Sequence, residues 1–226
     1  MISWKQALVV MGLGLNLLFS GAVSAQQAAV QGYQVLRTPQ ATKAPSDKVE
    51  VIEFFSYSSR PCFALEPMLN DWRAKQGGRI VFRRIPVPDP SPLREQARLY
   101  YTIEAMGKVP ELHLKLFDAI SVQKQRLQTE DEIFAFLKAQ GLDASKFLEF
   151  YNSFTVKQNV THATEVVEAY RVDSVPALVV DGRFMTSSSI VESTSAPGTP
   201  RDALLERILQ VVGDLVAKVS AERLAQ

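Results

Sequence analysis

Thiols are nearly absent from these 226 residues, because the chain has one cysteine, Cys62. A single thiol excludes any disulfide within the chain. Excess charge of either sign is also missing, since the formal net charge is +1. No long basic or acidic run occurs, which removes nucleic acid and anionic lipid as expected partners. Arg79, Arg83 and Arg84 form a small basic cluster that reads as a solvated strand edge. The two histidines, His113 and His162, lie in no cysteine or carboxylate cluster at ligand spacing, so no metal is expected. Neither an internal repeat nor a low-complexity tract is present. The balance of apolar and charged residues fits an ordinary globular protein of one domain, or of one domain carrying an insertion.

The N-terminus reads MISWKQALVVMGLGLNLLFSGAVSAQQ. Lys5 precedes an apolar run from Ala7 to Phe19, then come Gly21 and the small-residue pattern Val23-Ser24-Ala25. This is the layout of a secretory signal over residues 1–25, cleaved after Ala25. The run is shorter than the ~20 residues a spanning helix needs. The alternative is an uncleaved anchor, but nothing charged closes the segment. No cysteine near the cleavage point offers a lipid attachment site. Export makes one thiol an odd number, because oxidising compartments favour disulfides and these come in pairs. Cys62 is therefore buried and inert, free and reactive, or joined to another molecule.

After a polar, proline-containing stretch with a short strand near Tyr33 to Leu36, KVEVIEFFSY reads as a strand. Its nearly continuous apolar character belongs to a central strand covered on both faces. From Pro61 the apolar positions Leu65, Met68, Leu69 and Trp72 recur at helix spacing until Gly77-Gly78, with Pro67 expected to kink the helix. RIVFRRIPV is a second strand. From Leu93 to about Tyr170 helical spacing prevails, which predicts three or four helices and a longer final one. Thr129 and Glu132 form a capping-box signature there, and Phe134, Phe136, Phe147, Phe150 and Phe154 read as the core of this block. Asn159 begins an N-x-T sequence that falls inside the last of these helices. PALVVDGRFM returns to strand, with Asp181-Gly182 as a primed hairpin turn. STSAPGT reads as a loop. Pro200 opens a closing amphipathic helix with Leu204, Leu205, Ile208, Val211, Val212, Leu215 and Val219 as its stripe.

The strand, the turn, SRPC, and a helix with a proline five positions after the cysteine resemble the thioredoxin superfamily. The EFFSY lead-in, the helical block and VPALVVDGRF make the chain similar to the DsbA family of thiol:disulfide interchange proteins. The resemblance covers essentially the whole mature chain. It implies an α/β thioredoxin-like fold with an inserted α-helical domain. The thioredoxin-like domain would comprise 26–91 and 171–226, and the insertion 92–170. The departure lies at the centre of the family's chemistry, because Ser59 stands where C-x-x-C has its attacking cysteine. Cys62 matches the second, more buried thiol. The resemblance also implies a proton-carrying acid at Glu53 and a substrate loop at Val175-Pro176 with a cis-proline.

Physical chemistry supplies a reading of each position. A helix N-terminus lowers the pKa of a thiol placed there, and Arg60 would add to that effect. Proline at Pro61 is tolerated in a first helical turn. Serine is a preferred N-cap, and with Ser59 as the cap Cys62 is the third helical residue. No neighbouring base is available to make Ser59 a nucleophile. Cys62 keeps two readings: partner in mixed disulfides, or small apolar filler beneath the helix. Glu53 is either a buried acid of raised pKa or a carboxylate at a solvent-reaching strand end, and Ile52, Phe54 and Phe55 around it favour burial. The resulting expectation is a periplasmic interchange protein with a degenerate, single-cysteine site and no cofactor. Its partners would be exported unfolded or cysteine-containing proteins and, as the resemblance implies, a membrane redox partner. The alternative is a redox-inactive peptide-binding chaperone or adaptor that keeps the groove.

Overall fold

The computed structural model describes residues 32–88 and 92–225, so the expected signal segment, 1–25, lies outside the described residues. Strand β2, Val49–Phe55, has every residue buried, which requires a neighbour on each side and cover on both faces. Strand β3, Ile80–Pro86, pairs with it in parallel and places Arg84 beside Glu53. Strand β4, Ala177–Val180, pairs antiparallel on the other side and turns tightly into β5, Phe184–Ser187. Asp181 and Gly182 both hold positive φ, 55° and 62°, as a primed turn requires. A Cβ at Gly182 would stand 2.1 Å from the Gln40 carbonyl oxygen, so the position also needs glycine for space. The short β1, Gln34–Val35, completes the sheet order β1-β5-β4-β2-β3.

One face of the sheet is covered by α1, Arg60–Gln76, and the closing helix α8, Arg201–Leu224. Leu65 and Leu69 of α1 and Ile208 and Val212 of α8 pack there with Val49, Val51, Leu178 and Val180. The stripe expected for α8 is buried apart from Leu204, which is half-buried against the same cluster. The chain between β3 and β4 forms the helical insertion. It comprises α2 (Pro92–Ala105), α3 (Val109–Phe117), α4 (Glu130–Ala139), α5 (Ala144–Tyr151) and α6 (Phe154–Tyr170). A single π turn, Asp118–Val122, extends α3. Ile52, Phe54, Ala177 and Val179 of the sheet join the core of this insertion. The predicted capping box is present at α4: Thr129 Oγ1 accepts from the Glu132 N–H at 3.3 Å, and Glu132 accepts from the Thr129 N–H at 3.2 Å.

Two details differ from expectation. Ser193 and Thr194, read as loop, complete a short helix α7, Ser188–Thr194. Its sequence shows little apolar periodicity, and it forms because Ser187 caps it, accepting from the Ile190 N–H at 3.3 Å, while Val191 is buried. Phe154, assigned to the core, is 76% exposed. As the first residue of α6 it has no preceding helical turn to lie on, whereas Phe136 and Phe147 within their helices are buried. Helix α1 runs on through Pro67 to Gln76.

Candidate functional site

Strand β2 delivers the chain to a turn, Ser56–Ser59, from which α1 starts. The Ser59 N–H donates to the Ser56 carbonyl at 3.0 Å and tightens the turn. Ser59 has an extended backbone (φ −90°, ψ 112°) and its Oγ accepts from the Cys62 N–H at 3.3 Å. It is thus the N-cap, a contribution of about 1 kcal/mol. Arg60 is exposed and Pro61 half-buried in the first turn, and Cys62 is the third helical residue.

Facing this turn is the loop between α6 and β4. The Val175-Pro176 peptide bond is cis, with Pro176 buried and Val175 half-buried. Ser59 Oγ lies 3.5 Å from the Val175 carbonyl oxygen, a long hydrogen-bond contact between segments distant in the chain. The turn is also tied to the insertion. Ser58 Oγ donates to Gln96 of α2 at 3.1 Å, and Ser121 Oγ donates to the Tyr57 carbonyl at 3.1 Å.

Cys62 is 0% exposed. Burial pushes its thiol up to about 12, against hydrogen bonds from the Ser59 side chain and the Ser56 backbone that act to lower it. This corrects the expectation that the helix terminus and Arg60 would lower it. The Arg60 side chain is in water, where its charge is screened, while the sulfur is dry.

Glu53 is 0% exposed as well. Its Oε2 accepts from Arg84 Nε at 2.9 Å, and its Oε1 has no hydrogen-bond partner among the described residues. Burial, reinforced by repulsion from Glu66, raises its pKa to about 7 even though Arg84 opposes the shift. Glu66 sits one helical turn beyond Cys62. It ion-pairs with Arg84 and accepts from Asn70 Nδ2 at 3.1 Å, and burial again raises its pKa. Both carboxylates oppose ionisation of Cys62.

Arg84 is therefore not part of a solvated strand edge, and its side chain is only 7% exposed. Successive strand residues point to opposite faces, so Arg84 follows Glu53 beneath α1. Arg83 takes the other face, where it pairs with Glu50 at 3.2 Å and is 28% exposed. Of the three arginines only Arg79 stands in solvent as expected. Burial alone would lower the pKa of Arg84, but Glu53 and Glu66 hold it above its ordinary value.

His113, on α3, is a further buried member of this cluster. Its Nδ1 lies 2.8 Å from Tyr57 Oη and its Nε2 lies 3.5 Å from Glu66 Oε1. Burial lowers its pKa to about 3, so the ring is neutral at pH 7. The neutral ring carries its proton on Nε2, facing the Glu66 carboxyl, when Tyr57 donates to Nδ1, and on Nδ1 when Tyr57 accepts. The arrangement is a dry pocket of acid, cation and imidazole directly under the cysteine-bearing turn. It can hold or release one proton near neutral pH at Glu53.

The fold brings together Glu53, Ser59, Arg60, Pro61, Cys62, Val175 and Pro176, the positions singled out in the sequence. Arg84, Glu66, His113 and Tyr57 were not foreseen. Glu66 did carry a signal: it follows Cys62 by four residues and lies between Leu65 and Leu69 on the buried side of α1. His113 carried none, because it arrives from the insertion. Among the described residues there is no group of three or more metal-ligating side chains, and no helix is long and apolar enough to cross a membrane.

Comparison with known proteins places this geometry. The family described as "DSBA-like thioredoxin domain" matches residues 50–198. The thiol:disulfide interchange protein DsbA of Burkholderia cepacia is 35% identical over 202 residues, covering 88% of this chain and 94% of that protein. Its counterpart in Bordetella pertussis is 35% identical over 185 residues, covering 82% and 87%. Among solved structures, Pseudomonas aeruginosa DsbA aligns with a TM-score of 0.75 at 30% identity, over 84% of this chain and 93% of that one.

Proposed function

Because this chain belongs to the DsbA-like thioredoxin domain family, we propose that it acts on exported proteins in the periplasm, as a thiol:disulfide interchange protein reduced to a single cysteine. Its substrates are unfolded or cysteine-containing polypeptides. They lie along the Val175-Pro176 loop, where the Val175 backbone pairs with an extended segment by strand addition. The observation that carries this reading is the contact of Ser59 Oγ with the Val175 carbonyl at 3.5 Å, with Cys62 one helical turn behind. The turn and the loop meet as an interchange site requires, with a hydroxyl in the attacking position.

The chemistry left to such a site is one exchange at a time. A Cys62 thiolate attacks a disulfide of the partner, the partner's S–S bond breaks, a mixed disulfide forms and one partner thiolate leaves. No second thiol in this chain can resolve that bond, so a thiol from outside must do so. Oxidase turnover through an internal disulfide is excluded on the same ground. Glu53 supplies or stores the proton that Cys62 exchanges, and a membrane redox partner has no internal disulfide here to regenerate.

The complete burial of Cys62 favours a second reading, a redox-inactive chaperone or adaptor that keeps the peptide loop. Restoring the missing thiol separates the two. The Ser59→Cys variant, oxidised and mixed stoichiometrically with a reduced cysteine-containing peptide, is expected to pass on its disulfide, while the unsubstituted chain does not. An inactive Ser59→Cys variant that still binds peptide would sink the interchange reading and leave the adaptor.

A further inference from the structure

A cleft of about 540 Å³ opens along β3 and is lined by residues of that strand, α2 and α6. None of the residues of the Ser59–Cys62 turn or the Val175-Pro176 loop lines it. Its volume is in the range of small-molecule sites. The cations Lys43, Arg73, Arg83 and Arg84 reach its wall, against the single carboxylate of Glu104. That carboxylate accepts from Tyr100 Oη at 2.9 Å, and burial raises its pKa, which weakens its hold as a counter-charge. Arg83 and Arg84 already pair with Glu50, and with Glu53 and Glu66. Among the described residues no carboxylate is in ion-pair reach of Lys43 or Arg73.

Arg73 is fixed in place without a carboxylate in direct contact among the described residues. Its guanidinium lies 4.0 Å over the Phe82 ring, and its Nη1 donates to Asn70 Oδ1 at 3.3 Å. Its Nε is buried with no hydrogen-bond partner among the described residues. Burial and the nearby charge of Arg84 disfavour its charged form, while Glu66 and Glu53, beyond ion-pair reach, favour it. A held guanidinium with an unused donor, in a wall of like charge, lacks an acceptor that carries negative charge.

We propose that this cleft is a binding site for a small anionic molecule bearing carboxylate or phosphate groups, with Arg73 and Lys43 as its charged ligands and Arg84 as its inner wall. The flat guanidinium of Arg73 matches a two-oxygen face, and Lys43 adds a mobile point charge at the rim. Arg84 links the cleft to the buried pocket, because the same cation holds Glu53 and Glu66. An anion drawn towards Arg84 shares that cation with the two carboxyls and makes a proton on Glu53 harder to remove.

The test uses the full chain with two probes, inorganic phosphate and citrate, titrated calorimetrically at low salt. A saturable one-to-one isotherm is expected with at least one probe, and the stronger probe tells phosphate from carboxylate recognition. Arg73→Met should weaken it about tenfold or more, as loss of a charge-assisted hydrogen bond implies. Lys43→Met should weaken it less, and added sodium chloride should weaken it throughout. Carbon-13 titration of Glu53 should move upward in pH when the probe saturates. The side chain of Lys43 is exposed and engages no carboxylate among the described residues, so that variant carries the test if Arg73→Met melts lower. Absence of saturable binding by both probes overturns the proposal. So does binding that neither substitution weakens.

Discussion

Replacing Glu53 by glutamine should stabilise the protein at alkaline pH and leave it little changed in acid. The carboxyl is 0% exposed and its pKa is raised from the ordinary 4.5 to about 7. Between those values the folded chain keeps a proton that the unfolded chain releases. Stability attached to this group is therefore fully present below pH 4.5 and is lost as pH rises through about 7. A span of about 2.5 pH at 1.36 kcal/mol each gives roughly 3 kcal/mol by pH 8. Glutamine needs no proton to be neutral, and its amide oxygen can still accept from Arg84, which keeps Glu66 as its ionic partner. The Glu53→Gln protein should accordingly exceed the unsubstituted one by about 3 kcal/mol at pH 8, with the gap closing towards pH 4.5. His113 works in the opposite direction, since its pKa falls from 6.5 to about 3 and its neutral form is favoured on folding. Removing the Glu53 charge only lowers the His113 pKa further, so the ring stays neutral in both folded proteins above about pH 4 and largely cancels. Glu66 loses a repelling neighbour, and the gap reports the Glu53–Glu66 pair. Urea unfolding followed by tryptophan fluorescence at several pH values between 4 and 8 measures the gap. A gap that does not vary with pH, or a variant less stable at pH 8, would refute a protonated, desolvated Glu53.

The same burial makes two further predictions. With its thiol near 12 instead of 9.0, Cys62 carries about a thousandth of the thiolate of an exposed cysteine at pH 8, so iodoacetamide should label it at least that much more slowly until urea unfolds the chain. Rapid native labelling, followed by mass spectrometry, would contradict the buried sulfur and favour mixed-disulfide chemistry. Arg84→Met should cost about 3–5 kcal/mol at pH 8 by leaving two buried carboxyls without their cation, and the loss should shrink in acid as both take up protons. A loss under 1 kcal/mol at pH 8 would mean that the cluster is hydrated rather than dry.

The local chemistry of this chain determined a good deal without help from tertiary structure. The nearly continuous apolar run of Val49–Phe55 marks a covered central strand, Thr129 and Glu132 spell a capping box, and Asp181-Gly182 suits a primed turn. Ser59 as a cap and Cys62 as the third helical residue follow from the same short-range rules. These depend on φ/ψ, on near-neighbour hydrogen bonds and on the period of apolar side chains, all of which are written within a few residues. Two mistaken expectations mark where that reach ends. A helix terminus and an adjacent arginine argue for a reactive thiol, yet burial raises it, because Cys62 lies in the core cluster that the sheet and the insertion build together. Arg84 looks like an edge residue in RIVFRRIPV, yet the parallel register with β2 turns it inward beside Glu53, and α1 brings Glu66 to its other side. Charge identity is local, but the dielectric around a charge is made by segments far apart in the chain, so only the folded molecule decides which of its acids, cations and thiols are dry.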